Sequence, residues 1–253
     1  MAMGRCAIVT GGASGIGEAI AEELSNEGHR VVIADVQEEE GRMVAERIGG
    51  YFFKVDLSDR ESCKYLVEKT VEKFGGVEIL INNAGFQHVS SLEEFPEEKW
   101  DELLSVMLRA PFLLTKYAWS SMKSEGWGRV VNISSVHGLV ASPNKVGYVS
   151  AKHGLIGLTR AAALEGGEYG ITVNALCPAF VRTPLVEKQI PDLARNHSIA
   201  ENDVVDKVLL KTVAIKRAIE PKEVADLAVY LCSEKAAAVT GACWTIDLGF
   251  TVS

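Results

Sequence analysis

The chain has 253 residues and a formal net charge of −8, with 26 Lys and Arg against 34 Asp and Glu. That acidic excess argues against a nucleic-acid partner, because phosphate contacts need clustered cations. The length suffices for a sizeable core in a single α/β domain, 1–253, and no apolar run is long enough to cross a bilayer.

Short β-branched runs alternate with amphipathic segments along the chain. The expected strands are "CAIVT" (6–10), "RVVIAD" (30–35), "YFFKVD" (51–56), "VEILINNAG" (77–85), "GRVVNISS" (128–135), "ITVNALCP" (171–178) and "ACWTID" (242–247). Between them, apolar spacing predicts helices over Glu18–Glu27, Glu38–Ile48, Arg60–Phe74, Glu97–Glu125, Val146–Tyr169 and Lys222–Cys232. Strands that are apolar throughout predict a parallel sheet covered on both faces. The segment 182–212 interrupts the alternation and is expected to form a lid. Five cysteines without Cys-x-x-Cys spacing predict reduced thiols in a cytoplasmic protein. Five histidines without metal-ligand spacing predict no metal site. The N-terminal residues lead into the first strand without the regions of a signal peptide.

"TGGASGIG" (Thr10–Gly17) joins the first strand to the first helix. Gly11, Gly15 and Gly17 let the backbone turn sharply, so that a pyrophosphate could approach the helix N-terminus over Ser14 and Ile16. Asp35 ends the second strand, where a carboxylate accepts hydrogen bonds from both adenosine ribose hydroxyls and repels a 2′-phosphate. The expected cofactor is therefore NAD. Further along, Tyr148 and Lys152 are four residues apart on one helical face, with Ser135 at the end of a strand before them. Oxidising an alcohol by hydride transfer requires removal of its hydroxyl proton. A free phenol, with a pKa of about 10, is a poor base near neutrality, but a nearby ammonium favours the phenolate. Tyr148 is thus expected to be the base, Lys152 to lower its pKa, and Ser135 to orient the substrate oxygen.

Thr10–Gly17, "NNAG" (Asn82–Gly85), Ser135 and Tyr148-x-x-x-Lys152 together resemble the classical short-chain dehydrogenase/reductase family over nearly the whole chain. The resemblance implies a Rossmann-type doubly wound sheet of seven parallel strands with helices on both faces, a nicotinamide cofactor and a homotetramer. It also implies that Asp56 and Leu57 flank the adenine, and that Asn83, Ala84 and Gly85 line the cofactor cleft. Pro178, Val181 and Thr183 of "CPAFVRTP" would lie at the nicotinamide, with Thr183 on its carboxamide. "NNAGFQH", "SSVHGLVASPNKVGYVSAKHG" and "RTPLVEKQI" resemble the D-3-hydroxybutyrate dehydrogenases of that family. This implies a small hydroxy or keto acid substrate whose carboxylate is held by Gln87, His137, Lys145 and Gln189. One ammonium, one imidazole and two amides can each donate to such a carboxylate.

Three positions depart from the family pattern. Met107 stands where an Asn usually anchors a water behind the lysine, and a thioether cannot anchor it in the same way. Ala179 replaces a glycine beside the nicotinamide pocket and would be strained at a positive φ, and Leu248 replaces a glycine of the C-terminal turn, which puts that turn and any subunit contact it makes in question. A 3-oxoacyl-carrier-protein or other small-ketone reductase, and a dinucleotide-binding relative with weakened turnover, remain as alternatives at this point.

Overall fold

The computed structural model describes residues 4–187 and 189–252. The seven strands are β1 (Cys6–Thr10), β2 (Arg30–Asp35), β3 (Tyr51–Lys54), β4 (Ile79–Asn82), β5 (Gly128–Ile133), β6 (Ile171–Pro178) and β7 (Cys243–Ile246). They form one parallel sheet in the order β3-β2-β1-β4-β5-β6-β7. The order reverses between β1 and β4, which opens a crevice at the carboxyl ends of those strands.

Alternate residues of each strand feed two separate cores. Val9, Ile33, Ile81 and Val131 pack beneath α1 (Gly15–Asn26), α2 (Glu38–Arg47) and, late in the chain, a helix at Pro221–Cys232. Ile8, Val32, Leu80 and Val130 pack against α3 (Arg60–Phe74) and the helices that follow β4 and β5. The expected runs at 51–56, 77–85 and 128–135 pair over shorter lengths than their composition suggests. Asp56, Asn83–Gly85 and Ser134–Ser135 leave the ladder at its carboxyl edge and become loop.

The helix expected over Glu97–Glu125 is interrupted. It divides into α4 (Glu97–Leu104), a π turn at Ser105–Arg109 in which the Ala110 N–H reaches the Ser105 carbonyl, and α5 (Ala110–Glu125). Pro111 gives a physical reason: it lacks the N–H that an α-helix would offer to the Met107 carbonyl four residues back. After β5 runs α6 (Val146–Gly166), which carries Tyr148 and Lys152. Its position on the sheet is tied by a buried polar chain. Asn82 Nδ2 donates to Asn132 Oδ1 at 2.8 Å, and Asn132 Nδ2 to Thr159 Oγ1 at 2.8 Å.

The segment 182–212 holds α7 (Pro184–Glu187), α8 (Ile190–His197), α9 (Glu201–Val204) and a second π turn at Val205–Leu209. Leu193, Ala194 and Val204 make a small core of its own there. The chain then forms α10 (Pro221–Cys232), followed by β7. Beyond β7, Leu248 has a φ of 56°, and its carbonyl accepts from the N–H groups of Ala214 at 2.8 Å and Ile215 at 3.1 Å. Its left-handed backbone is thus held by the stretch that follows the lid segment. Ala179 is not among the positive-φ residues, so the strain expected there is absent.

Candidate active site

The crevice at the β1/β4 reversal is a cleft of about 450 Å³. Gly11, Ser14, Gly15, Ile16 and Asp35 form one wall, and Asp56 and Leu57 form a second. Asn83, Ala84 and Gly85 line the cleft from the loop after β4, and Thr183 from the lid segment. The glycine turn is built as its sequence demands. Gly11 and Gly15 have φ of 64° and 60°, in the region that costs other residues strain. A Cβ on Gly15 would lie only 3.2 Å from the Thr183 side chain.

Gly17 does not line the cleft. A Cβ there would sit 2.2 Å from the Gly11 carbonyl and 2.5 Å from Asn83 Nδ2, so this glycine is needed for packing behind the turn. Asn83 makes the same region rigid, donating from Nδ2 to the carbonyls of Thr10 at 2.9 Å and Gly11 at 3.1 Å. Pro178 and Val181 also stand back from the cleft walls. The Pro178 carbonyl faces Ser135 Oγ at 3.5 Å, and buried Val181 bridges to Ile219. The Asp35 carboxylate is buried and oriented by backbone, accepting from the Ala13 N–H at 3.1 Å and the Gln37 N–H at 3.0 Å.

Cleft residues that the motifs did not reveal include Gln37, Ser58, Phe86, Glu102 and Val106. Glu102 and Val106 come from the interrupted helix, where apolar spacing carries no sign of a ligand. Gln37 was within reach of sequence reasoning, since it follows two residues after Asp35, the acid expected at the ribose.

Phe86 also belongs to an apolar cluster centred on buried Met107, together with Leu103, Phe95, Ala151 and Tyr148. A Cβ on Gly85 would be 3.0 Å from Met107 Sδ, so Met107 fills the space between the cleft and Tyr148. Lys152 is buried, and its Nζ donates to the Ile133 carbonyl at 2.7 Å, 5.5 Å from the Tyr148 ring centroid. Burial lowers the Lys152 pKa to about 8, with the neighbouring Cys177 thiol opposing. Burial pushes the Tyr148 phenol upward, with the Ser135 hydroxyl opposing. The larger influence on the phenol in this structure is thus loss of water, which acts against the lowering expected from Lys152.

His137 stands against Tyr148, with ring centroids 6.1 Å apart, and against Phe250 of the C-terminal turn at 6.5 Å. Its Nε2 is 3.0 Å from Ser142 Oγ. Burial, then Lys145 and then His153 lower its pKa to about 4, so the ring is neutral at pH 7. Lys145 opens α6, and burial lowers its pKa too. Gln87 lies on the loop after β4, its Oε1 accepting from the His88 N–H at 3.2 Å. That loop is tied to the Lys145 turn by a bond from the Ser90 N–H to the Asn144 carbonyl at 3.0 Å. Gln189 sits at the start of α8, on the lid segment. The structure therefore gathers Ser135, His137, Lys145, Tyr148 and Lys152, with Gln87 on an adjoining loop and Gln189 on a separate one. His88 packs edge-on against Phe95, and His153 bonds its own helix at the Val149 carbonyl.

A family model described as Enoyl-(Acyl carrier protein) reductase matches residues 11–251. With that match, and with this sheet, glycine turn and Tyr/Lys pair, the chain belongs to the short-chain dehydrogenase/reductase family, oxidoreductases that use nicotinamide dinucleotides. Among curated proteins it is 43% identical to a D-beta-hydroxybutyrate dehydrogenase of Rhizobium meliloti, over 98% of this chain and 99% of that one. It is 38% identical to another of Cupriavidus necator, over 99% of each. Among solved structures, actinorhodin polyketide ketoreductase with NADPH superimposes with a TM-score of 0.94 at 32% identity, covering 98% of this chain and 97% of that one.

Proposed function

We propose that this protein is an NAD-dependent dehydrogenase that interconverts (R)-3-hydroxybutyrate and acetoacetate. The observation that carries the reading is His137 packed against Tyr148, with Lys145 close enough to act on the His137 ring. A proton-transferring phenol then has an imidazole at one side and an ammonium near that ring, donors suited to the free carboxylate of a short acid, which a long acyl thioester does not offer. The likeness to two hydroxybutyrate dehydrogenases supports the same substrate.

When bound, NAD would supply the acceptor for the hydride that leaves C3 of the hydroxy acid. The chain's own residues supply the rest. Tyr148 takes the C3 hydroxyl proton, and Ser135 Oγ holds the same oxygen. Lys152, anchored on the Ile133 carbonyl, bonds the nicotinamide ribose, while Lys145, His137, Gln87 and Gln189 hold the carboxylate. The preference for NAD rests on Asp35, and on cleft walls that carry Asp35, Asp56 and Glu102 but no Lys or Arg among the described residues. A 2′-phosphate there would meet like charge without a partner.

Purified protein with NAD should generate NADH with the R enantiomer and not with the S. A second reading, an NADPH-dependent ketone reductase, is favoured by the likeness to actinorhodin ketoreductase. Activity with NADPH and a 3-oxoacyl thioester, but not with acetoacetate, would establish it in place of the first. The homotetramer implied by family resemblance is proposed as the working assembly. It is supported by an apolar groove on α4–α6 lined by Leu104, Leu108, Phe112 and Leu158.

A further inference from the structure

The loop between β3 and α3 walls the cleft at Asp56, Leu57 and Ser58. Three of its restraints are local. Asp56 Oδ1 accepts from the Ser58 N–H at 2.8 Å and from Ser58 Oγ at 2.7 Å. Asp59 caps α3 by accepting from the Ser62 N–H at 2.8 Å. The Cys63 thiol points at the Leu57 carbonyl, 3.6 Å away. A fourth restraint comes from another part of the fold: Arg109 Nη2 donates to the Ser58 carbonyl.

Arg109 is the last residue of the π turn, and Glu102 and Val106, on the turns before it, line the same cleft. We propose that Arg109 is a positioning residue for the adenosine half of the dinucleotide. It fastens the loop that flanks the adenine to the neighbouring helix, whose Glu102 and Val106 line the same cleft. The proposal rests on reading Asp56 and Leu57 as the adenine wall.

The π turn is part of the device. One extra residue in a turn rotates everything after it by about 100° around the helix axis. In an uninterrupted helix, the side chain at 109 would therefore point well away from Ser58. The same irregularity that turns Met107 inward thus brings a guanidinium to the loop. The residue type also fits. Arginine carries several donors on a long planar head that stays charged under all ordinary conditions, so it can satisfy a carbonyl from the side of a helix. Without that bond, the loop keeps its turn and its cap but loses the bond that sets its distance from Val106. Binding would then have to order the loop, at a cost in affinity. Arg109 is not among the groups around Tyr148, so the hydride step itself should be insensitive to it.

The test is calorimetric titration of ADP into the native chain, Arg109→Met and Arg109→Lys, with steady-state kinetics alongside. Arg109→Met should weaken ADP binding about tenfold, the loss expected for one charge-assisted hydrogen bond. Arg109→Lys should recover part of it. The KM for the dinucleotide should rise in proportion, while kcat at saturation and the KM for the hydroxy acid stay within about twofold. Equal ADP binding by native and Arg109→Met protein overturns the proposal, as does a fall in kcat with ADP binding untouched. If Arg109→Met does not fold, Arg109→Lys decides alone: a several-fold weaker ADP affinity supports the role, and native affinity overturns it. A native chain that binds NADH but not ADP removes the adenine reading of this loop, and the proposal with it. A native chain that binds ADP but oxidises no hydroxy acid leaves Arg109 in place and removes only the proposed substrate.

Discussion

A phenol and an ammonium in one dry pocket are both driven toward neutrality, the first by a raised pKa and the second by a lowered one. Tyr148 and Lys152 follow this rule, the lysine reaching about 8. On the proposed mechanism, the positive ring of an oxidised nicotinamide would add to the lysine in favouring the phenolate, which would couple base strength to dinucleotide binding. Tyr148→Phe should lower kcat by roughly 10²–10⁴-fold, the usual worth of a positioned acid/base, while NADH binding measured by fluorescence changes little. His137 gives a pH signature in stability. Its native pKa of about 4 lies below the unfolded value near 6.5, so the unfolded chain binds more protons between the two. Its contribution is whole above pH 6.5 and is lost as the pH falls toward 4. Melting curves from pH 7 to 4 should therefore show a steeper fall for the native protein than for His137→Gln. The gap should be roughly 2–4 °C for each kcal/mol lost, and parallel curves would contradict it.

Helices and strands differ in how plainly their sequences announce them. The runs at 6–10, 30–35 and 171–178 form strands over those same residues, because β-branched side chains buried on both faces leave little else for them to do. Where a run ends in Asp56, Asn83 or Ser135, polar groups needed at the cleft take the last residues out of the ladder, and composition alone does not register that. The π turn was hidden for a related reason. Its apolar residues keep a helical spacing, and the only local sign is Pro111, which is also an ordinary first-turn residue. The glycine turn was legible as a motif, but the division of labour within it was not. Gly11 and Gly15 serve the cleft and its backbone angles, whereas Gly17 serves packing. Gly17→Ala should cost about 1–3 kcal/mol in urea unfolding and weaken dinucleotide binding, because the new methyl displaces Asn83. Gly157→Ala, on α6 with nothing within 4 Å of the added carbon, should instead gain about 0.5–1 kcal/mol. If both changes behaved alike, the packing argument would fail.

At the scale of the whole molecule, two cores on opposite faces of the sheet leave the α4–α6 surface facing outward. Phe112 remains 47% exposed there, beside Leu104, Leu108 and Leu158 in one groove. Burial of that face between copies predicts that Phe112→Glu shifts the mass in light scattering from a tetramer to smaller species. A native chain already monomeric at micromolar concentration would refute the assembly. The four side chains proposed to hold a carboxylate were named from family resemblance, and they lie on three separate segments of the chain. Asn144 to Ser90 is the described bond between two of them, and no spacing rule anticipates a bond between loops 54 residues apart in the chain.

The hydrogen-bonded chain from Asn82 through Asn132 to Thr159 has a mechanical meaning. It pins the long helix against the two central strands, so that helix cannot glide along the sheet without breaking desolvated amide contacts together. Any rearrangement that admits or releases substrate must then occur in the covering loops, leaving the proton-handling groups as a fixed anvil.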